Sequence, residues 1–179
     1  MSTVTFQGST VNLQGENISI GDMAPVVEVV GQDLKPIKVG GSSDKVQILI
    51  AVPSLDTGVC ATETRKFNQN AANQEGVKLT VISMDLPFAM GRFCSTEGIE
   101  NLTVGSDFRN KDFANAYGIL MKDGPLAGLC ARAIFVVGKD GKIIHKELVS
   151  EVTTEPDYEA IKKSLNGSGS CGCSCSCNN

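Results

Sequence analysis

Histidine occurs once in this chain, at His145. A cysteine hydrolase needs a histidine base beside its nucleophile, and no partner motif surrounds His145, which reads as a satisfied histidine on a strand. Runs of basic residues are absent and the net charge is −4, so nucleic acid is not an expected partner. No apolar stretch reaches the length of a membrane span. The N-terminal MSTVTFQGST has neither a positively charged nor an apolar leader region, so we expect no membrane contact and a cytoplasmic protein. A C-x-x-C pair is missing ahead of residue 171, which excludes a disulfide oxidoreductase built on that motif and leaves any reducing equivalents to come from another protein. No cofactor motif is present, and no cofactor or metal is expected in the folded body.

What is present is enough for one domain: 179 residues, 41% hydrophobic and 20% charged, too short for two large cores. Seven cysteines might suggest a secreted disulfide framework, but four lie in the last nine residues. Only Cys60, Cys94 and Cys130 belong to the body, a distribution that fits a reducing compartment and catalytic thiols. Cys130 reads as a buried thiol.

Hydrophobic patterning predicts a hairpin over residues 4–13 around Gln7, Gly8 and Ser9, then an entry loop and short strand over 21–30. Apolar runs at 46–52 and 78–84 flank a helix-compatible run at 61–72, a βαβ unit with a parallel pair. Asp85-Leu86-Pro87 opens a second helix, with Gly98 as its stop. A short strand at 102–105, a short helix at 111–117, a hairpin over 133–147 with its turn at Lys139-Asp140-Gly141, and a helix at 157–165 complete the body. This is the order of an α/β, thioredoxin-like fold with an N-terminal β-hairpin.

The segment PSLDTGVC, residues 53–60, joins the first buried strand to the first helix. With Thr57 as N-cap, Cys60 falls at the third helical position. Free backbone N–H groups and the positive end of the helix dipole point at it there. That setting favours a thiolate, the nucleophilic form of cysteine. The spacing P-x-x-x-T-x-x-C at a strand-to-helix turn resembles the active-site signature of the peroxiredoxins. The fuller PSLDTGVC followed by Arg65-Lys66-Phe67-Asn68 resembles the thiol peroxidase branch, over residues 3–165.

The resemblance implies a peroxidase that reduces hydroperoxides, hydrogen peroxide and organic ones alike, through a sulfenic acid on Cys60. The arginine of the family pattern falls on Arg132, in LCARAIFVV, where it would supply positive charge and a planar fork of donors. Thr57 would offer its hydroxyl to a peroxide oxygen, and Pro53 would shape and shield the pocket. Cys94, in PFAMGRFC, matches the resolving cysteine that closes an intramolecular disulfide with Cys60, after local unwinding around both residues. The same resemblance implies thioredoxin as reductant and a homodimer. Phe88, Met90 and Phe93 lean the substrate preference toward organic hydroperoxides.

Beyond Leu165 the composition changes. Residues 166–170 read as a Gly/Ser linker, and Cys171, Cys173, Cys175 and Cys177 alternate with small polar residues. Residues 166–179 therefore stand apart from the 1–165 domain. They support a different function class, a metal-binding or thiol-buffering module using thiolates as soft ligands.

Overall fold

The computed structural model describes residues 2–71 and 74–167. In chain order its elements are β1 (Thr3–Phe6), β2 (Ser9–Gln14), β3 (Val27–Gly31), β4 (Pro36–Val39), β5 (Val46–Ala51), α1 (Gly58–Ala71) and β6 (Val77–Ser83). There follow α2 (Pro87–Glu97), β7 (Thr103–Ser106), α3 (Asp112–Ala116), β8 (Leu120–Met121), β9 (Ala133–Val137), β10 (Ile143–Leu148) and α4 (Tyr158–Gly167). Seven strands form the main sheet in the order β10-β9-β5-β6-β7-β3-β4, with β5, β6 and β7 parallel.

Central strands buried on both faces must be apolar at consecutive positions, which is why the Val46–Ala51 run is continuous. Its residues then divide by parity. Ile48 and Ile50 enter one core together with Cys60, Phe67, Met90, Cys94 and Ile161 of the three long helices. Leu49 and Ala51 enter the opposite core, with Phe113, Tyr117 and the hairpin residues Val4, Val11 and Leu13. On β9, Ile134 and Val136 divide from Phe135 and Val137 in the same way. The sheet is therefore covered on both sides, and α1, α2 and α4 share one of them.

The thioredoxin-like expectation is borne out. Gln7 and Gly8, both at positive φ (50° and 80°), make the two-residue turn between β1 and β2, the form whose twist suits a hairpin. That hairpin gains a third strand, β8, not foreseen from the sequence. Strand β4 was not foreseen either. It is an edge strand that begins at Pro36, a position where a missing N–H is tolerated. The last helix runs two residues past the expected boundary at Leu165, to Gly167. The rest of the linker and the cysteine-rich segment lie outside the described residues.

Gly40 pins the loop after β4 to the second core. Its φ is +84°, and a Cβ there would lie 2.0 Å from the Pro25 carbonyl oxygen and 2.6 Å from the Tyr117 hydroxyl. We expect Gly40→Ala to lower stability by about 1–3 kcal/mol through backbone strain, and by more where the contacts cannot relax. Urea unfolding followed by circular dichroism should show a lower midpoint with unchanged slope.

Candidate active site

Strand β5 delivers the chain to the turn at 53–57, and α1 begins at Gly58. Thr57 caps it: the Cys60 N–H donates to Thr57 Oγ1 at 3.4 Å, and the Ala61 N–H donates to the Thr57 carbonyl at 2.9 Å. The Thr57 hydroxyl is itself committed as donor to the Ser54 carbonyl, at 3.3 Å. Toward an incoming oxygen it can therefore act as an acceptor. Pro53 is buried at the end of β5 and brings no N–H to the pocket.

One face of α1 is buried at positions 60, 63, 64 and 67, the i, i+3, i+4, i+7 stripe of a core-facing helix. Two members are polar or charged. Thr64 Oγ1 donates back to the Cys60 carbonyl at 2.8 Å. Glu63 is fully buried and faces Arg132.

Arg132 immediately precedes β9 and is 1% exposed, so it is a buried arginine. Each of its nitrogens is used. Nε donates to the Val152 carbonyl at 3.0 Å, Nη1 donates to Glu63 Oε2, and Nη2 donates to Cys60 Sγ at 3.1 Å. The backbone binds it as well, through Val149 N–H to the Arg132 carbonyl at 3.0 Å. A planar fork suits this arrangement: one edge holds a carboxylate while the other is aimed at sulfur. Burial works against the guanidinium charge, but Glu63 and Cys60 outweigh it and hold Arg132 above its ordinary range. Burial pushes the Glu63 carboxyl up to about 7, against the opposing pull of Arg132. Negative charge developing on Cys60 thus meets a fixed, dehydrated cation and the amide end of a helix.

Cys94 lies in the last turn of α2, on the buried stripe Pro87, Met90, Cys94. Its carbonyl receives the closing bonds of the helix from Gly98 (φ 65°) and from the Ile99 N–H at 2.9 Å. Burial raises the Cys94 thiol. Cys60 and Cys94 are free cysteines in the same core. Helix α2 is joined to α1 by Arg65–Glu97 at 2.7 Å, and the loop that follows α2 by Asn68 Oδ1 accepting the Glu100 and Asn101 N–H groups.

The structure thus brings Thr57, Cys60 and Arg132 into direct hydrogen bonding, with Cys94 in the shared core. Cys130 goes elsewhere. It is fully buried in the opposite core, and burial raises its thiol strongly. His145 lies on edge strand β10, and its Nε2 finds no hydrogen-bond partner among the described residues, against the expectation of a satisfied histidine. Of the apolar trio, Met90 is a core residue, Phe88 is 72% exposed, and Phe93 lines a cleft of about 620 Å³ between the 54–56 loop and α2. Sequence reasoning missed Glu63. The available signal was its position three residues after Cys60: a carboxylate in the buried stripe of a helix requires a cation.

The chain matches the model of the Redoxin family over residues 19–162. It is 52% identical over 168 residues to a thiol peroxidase of Campylobacter jejuni, covering 94% of this chain and 95% of that one. A thiol peroxidase of Aquifex aeolicus is 50% identical, with 89% and 94% covered. Among solved structures, a peroxiredoxin-like protein from Aquifex aeolicus superposes with a TM-score of 0.89 at 49% identity, covering 93% of this chain and 97% of that one. A thiol peroxidase from Chromobacterium violaceum shares the fold, with a TM-score of 0.85 at 22% identity over 93% of this chain and 96% of that one. The chain belongs to the Redoxin family. Within it, the similarity to thiol peroxidases over nearly its whole length makes it a thiol-dependent peroxidase.

Stability and reactivity can be separated at Arg132. Arg132→Met should slow oxidation of the reactive thiol by about 10²–10³, the usual cost of one lost donor to developing charge. It should also destabilise the protein by about 3–5 kcal/mol, because Glu63 stays buried without its cation. A carboxyl raised by burial adds stability below its unfolded range, near 4.5, and loses it as pH rises through about 7. The wild type carries that loss too, and without Arg132 the carboxyl rises further, so the destabilisation should grow as pH rises above about 7. Arg132→Met/Glu63→Gln should recover stability and remain slow, as read by urea unfolding and stopped-flow peroxide consumption.

Proposed function

We propose that the protein reduces hydroperoxides, organic ones and hydrogen peroxide, through Cys60 as nucleophile and Cys94 as resolving thiol, with thioredoxin as electron donor. The observation that carries this reading is the buried contact from Arg132 Nη2 to Cys60 Sγ. The Cys60 thiolate attacks the terminal peroxide oxygen. The O–O bond breaks, an S–O bond forms, and the departing alkoxide takes a proton from water, leaving Cys60 as sulfenic acid and the substrate as alcohol. Arg132 stabilises the charge as it moves from sulfur to oxygen, Thr57 Oγ1 orients the peroxide hydroxyl, and Pro53 keeps the wall of the pocket dry. The Cys94 thiol then displaces the sulfenic hydroxyl. Water leaves with the Cys94 proton, and a Cys60–Cys94 disulfide results. A dithiol protein restores both thiols by exchange and becomes a disulfide itself.

The same reading places the enzyme in the cytoplasm as a homodimer. Leu86 and Phe88, exposed at the start of α2, give a second copy an apolar surface to cover. No described helix is long and apolar enough to cross a membrane.

Two variants test the chemistry. Cys60→Ser should abolish turnover, since no base stands ready to activate an alcohol there. Cys94→Ser should consume one peroxide per chain, stall as a sulfenate and then over-oxidise. Peptide mapping of oxidised wild type under non-reducing conditions should find Cys60 joined to Cys94. A dominant link from Cys60 to any other cysteine would remove Cys94 from the mechanism.

A second reading concerns the C-terminal segment, because four cysteines within nine residues exceed anything the peroxidase chemistry uses. We propose that these thiols bind a soft metal ion or buffer thiols apart from the domain. Full-length protein should then hold about one zinc ion per chain against a chromogenic chelator. Replacing Cys171, Cys173, Cys175 and Cys177 with Ser should release it and leave peroxidase turnover unchanged.

A further inference from the structure

Asp85 has no part in the chemistry described so far, yet it joins the two cysteine-bearing segments. Its side chain accepts three hydrogen bonds: from Ser54 Oγ at 2.8 Å, from the Leu55 N–H at 2.7 Å and from Ser83 Oγ at 2.7 Å. Ser54 and Leu55 belong to the turn that presents Cys60. Ser83 ends β6, and Asp85 itself leads within two residues into α2, the helix of Cys94. The Asp85 carbonyl is held in turn by Ser106 Oγ, at the end of β7. The root of α2 is therefore fastened to the sheet, while the Asp85 side chain reaches across to the Cys60 turn.

From Ser54 the connection runs on to the sulfur. Ser54 Oγ accepts the Asp56 N–H at 3.2 Å, the Ser54 carbonyl accepts the Thr57 hydroxyl, and Thr57 Oγ1 accepts the Cys60 N–H. In this closed arrangement Cys60 Sγ faces Arg132, beside β9. Helix α2 packs over β7, two strands beyond β5 on the side away from β9. On the reading proposed above, bonding to Cys94 takes the Cys60 sulfur away from Arg132 and toward α2, and the turn that holds it gives. The Asp85 contacts to Ser54 and Leu55 oppose that movement.

We propose that Asp85 is a positioning residue that latches the Cys60 turn to the root of the Cys94 helix in the reduced protein and releases it when the Cys60–Cys94 disulfide forms. The inference rests on the Cys60–Cys94 reading above. A tie present in the dithiol form and absent from the disulfide form biases the redox equilibrium. Reduction of the disulfide by two electrons and two protons re-forms the latch, so the latch favours the reduced state. Its loss lets the disulfide form more readily and makes it harder to reduce.

Asp85→Asn is the direct probe. The amide keeps one acceptor but sets an NH₂ group against donors, and the Leu55 N–H, unlike a hydroxyl, cannot reverse. One charge-assisted hydrogen bond is worth about tenfold, so the Cys60–Cys94 couple should shift about 30 mV more negative. The measurement is equilibration of the full-length protein with dithiothreitol redox buffers, with the disulfide quantified by thiol alkylation and mass spectrometry. Under excess peroxide the variant should also give several-fold less Cys60 sulfinate per disulfide. Ser54→Ala, which deletes one of the three bonds, should move both quantities in the same direction by less, and it carries the test if Asp85→Asn does not fold. Ile161→Val in α4 serves as a control: it loosens the core without touching the latch and should move neither. A midpoint and sulfinate yield equal to wild type in both latch variants would overturn the latch, as would an equal shift in Ile161→Val. Absence of any Cys60–Cys94 disulfide in the wild type would instead overturn the resolving-cysteine reading beneath it.

Discussion

A buried guanidinium shared between a carboxylate and a sulfur is the constraint on which the rest of this structure depends. Arg132 is removed from water at large cost, a cost offset only where each of its nitrogens finds a partner. Glu63 supplies charge, the Val152 carbonyl supplies an acceptor, and Cys60 accepts from the third nitrogen. The sheet has to be built so that β9 brings Arg132 alongside β5, and α1 has to begin where its first turn faces that edge. Antiparallel pairing of β9 with β5, from Gln47↔Val137 to Ala51↔Ala133, achieves the first. The Thr57 cap achieves the second.

The geometry also divides labour between the thiols. Cys60 has a cation and helix amides around it. Burial alone raises Cys94, and burial, with a smaller push from the Asp107 charge, raises Cys130. Position then separates those two. Cys94 shares the core of Cys60, whereas Cys130 lies across the sheet in the other core although it precedes Arg132 by only two residues. Cys130 and Arg132 both precede β9, outside the regular alternation that would set residues two apart on one face, so closeness in sequence to Arg132 gives Cys130 no access to the site. In the proposed mechanism the Asp85 network adds an opposing demand: the turn that presents Cys60 holds firm for the first step and yields for the second.

Much of this was legible in the sequence because it is local. The apolar run at 46–52, the Gly98 stop, the hairpin at 133–147 and the cap-to-cysteine spacing each follow from neighbouring residues. Strands β4 and β8 were not legible: four residues beginning at Pro36 and two at Leu120 carry too little pattern and owe their pairing to partners elsewhere in the chain. Glu63 and Asp85 were missed for a related reason. Their roles arise from contacts 69 and 31 residues away, with Arg132 and Ser54. Nothing near either residue announces those partners, except that Glu63 falls in a buried helical stripe where an unpaired charge could not persist.

The central claim is that the Arg132 contact makes Cys60 the thiol that meets peroxide first. The most direct measurement treats the fully reduced protein with less than one equivalent of hydrogen peroxide in the presence of dimedone, then locates the adduct by mass spectrometry. The account predicts that the earliest adduct lies on Cys60 and that Cys130 carries none. A first adduct on Cys94 or Cys130, with Cys60 unmodified, would contradict it.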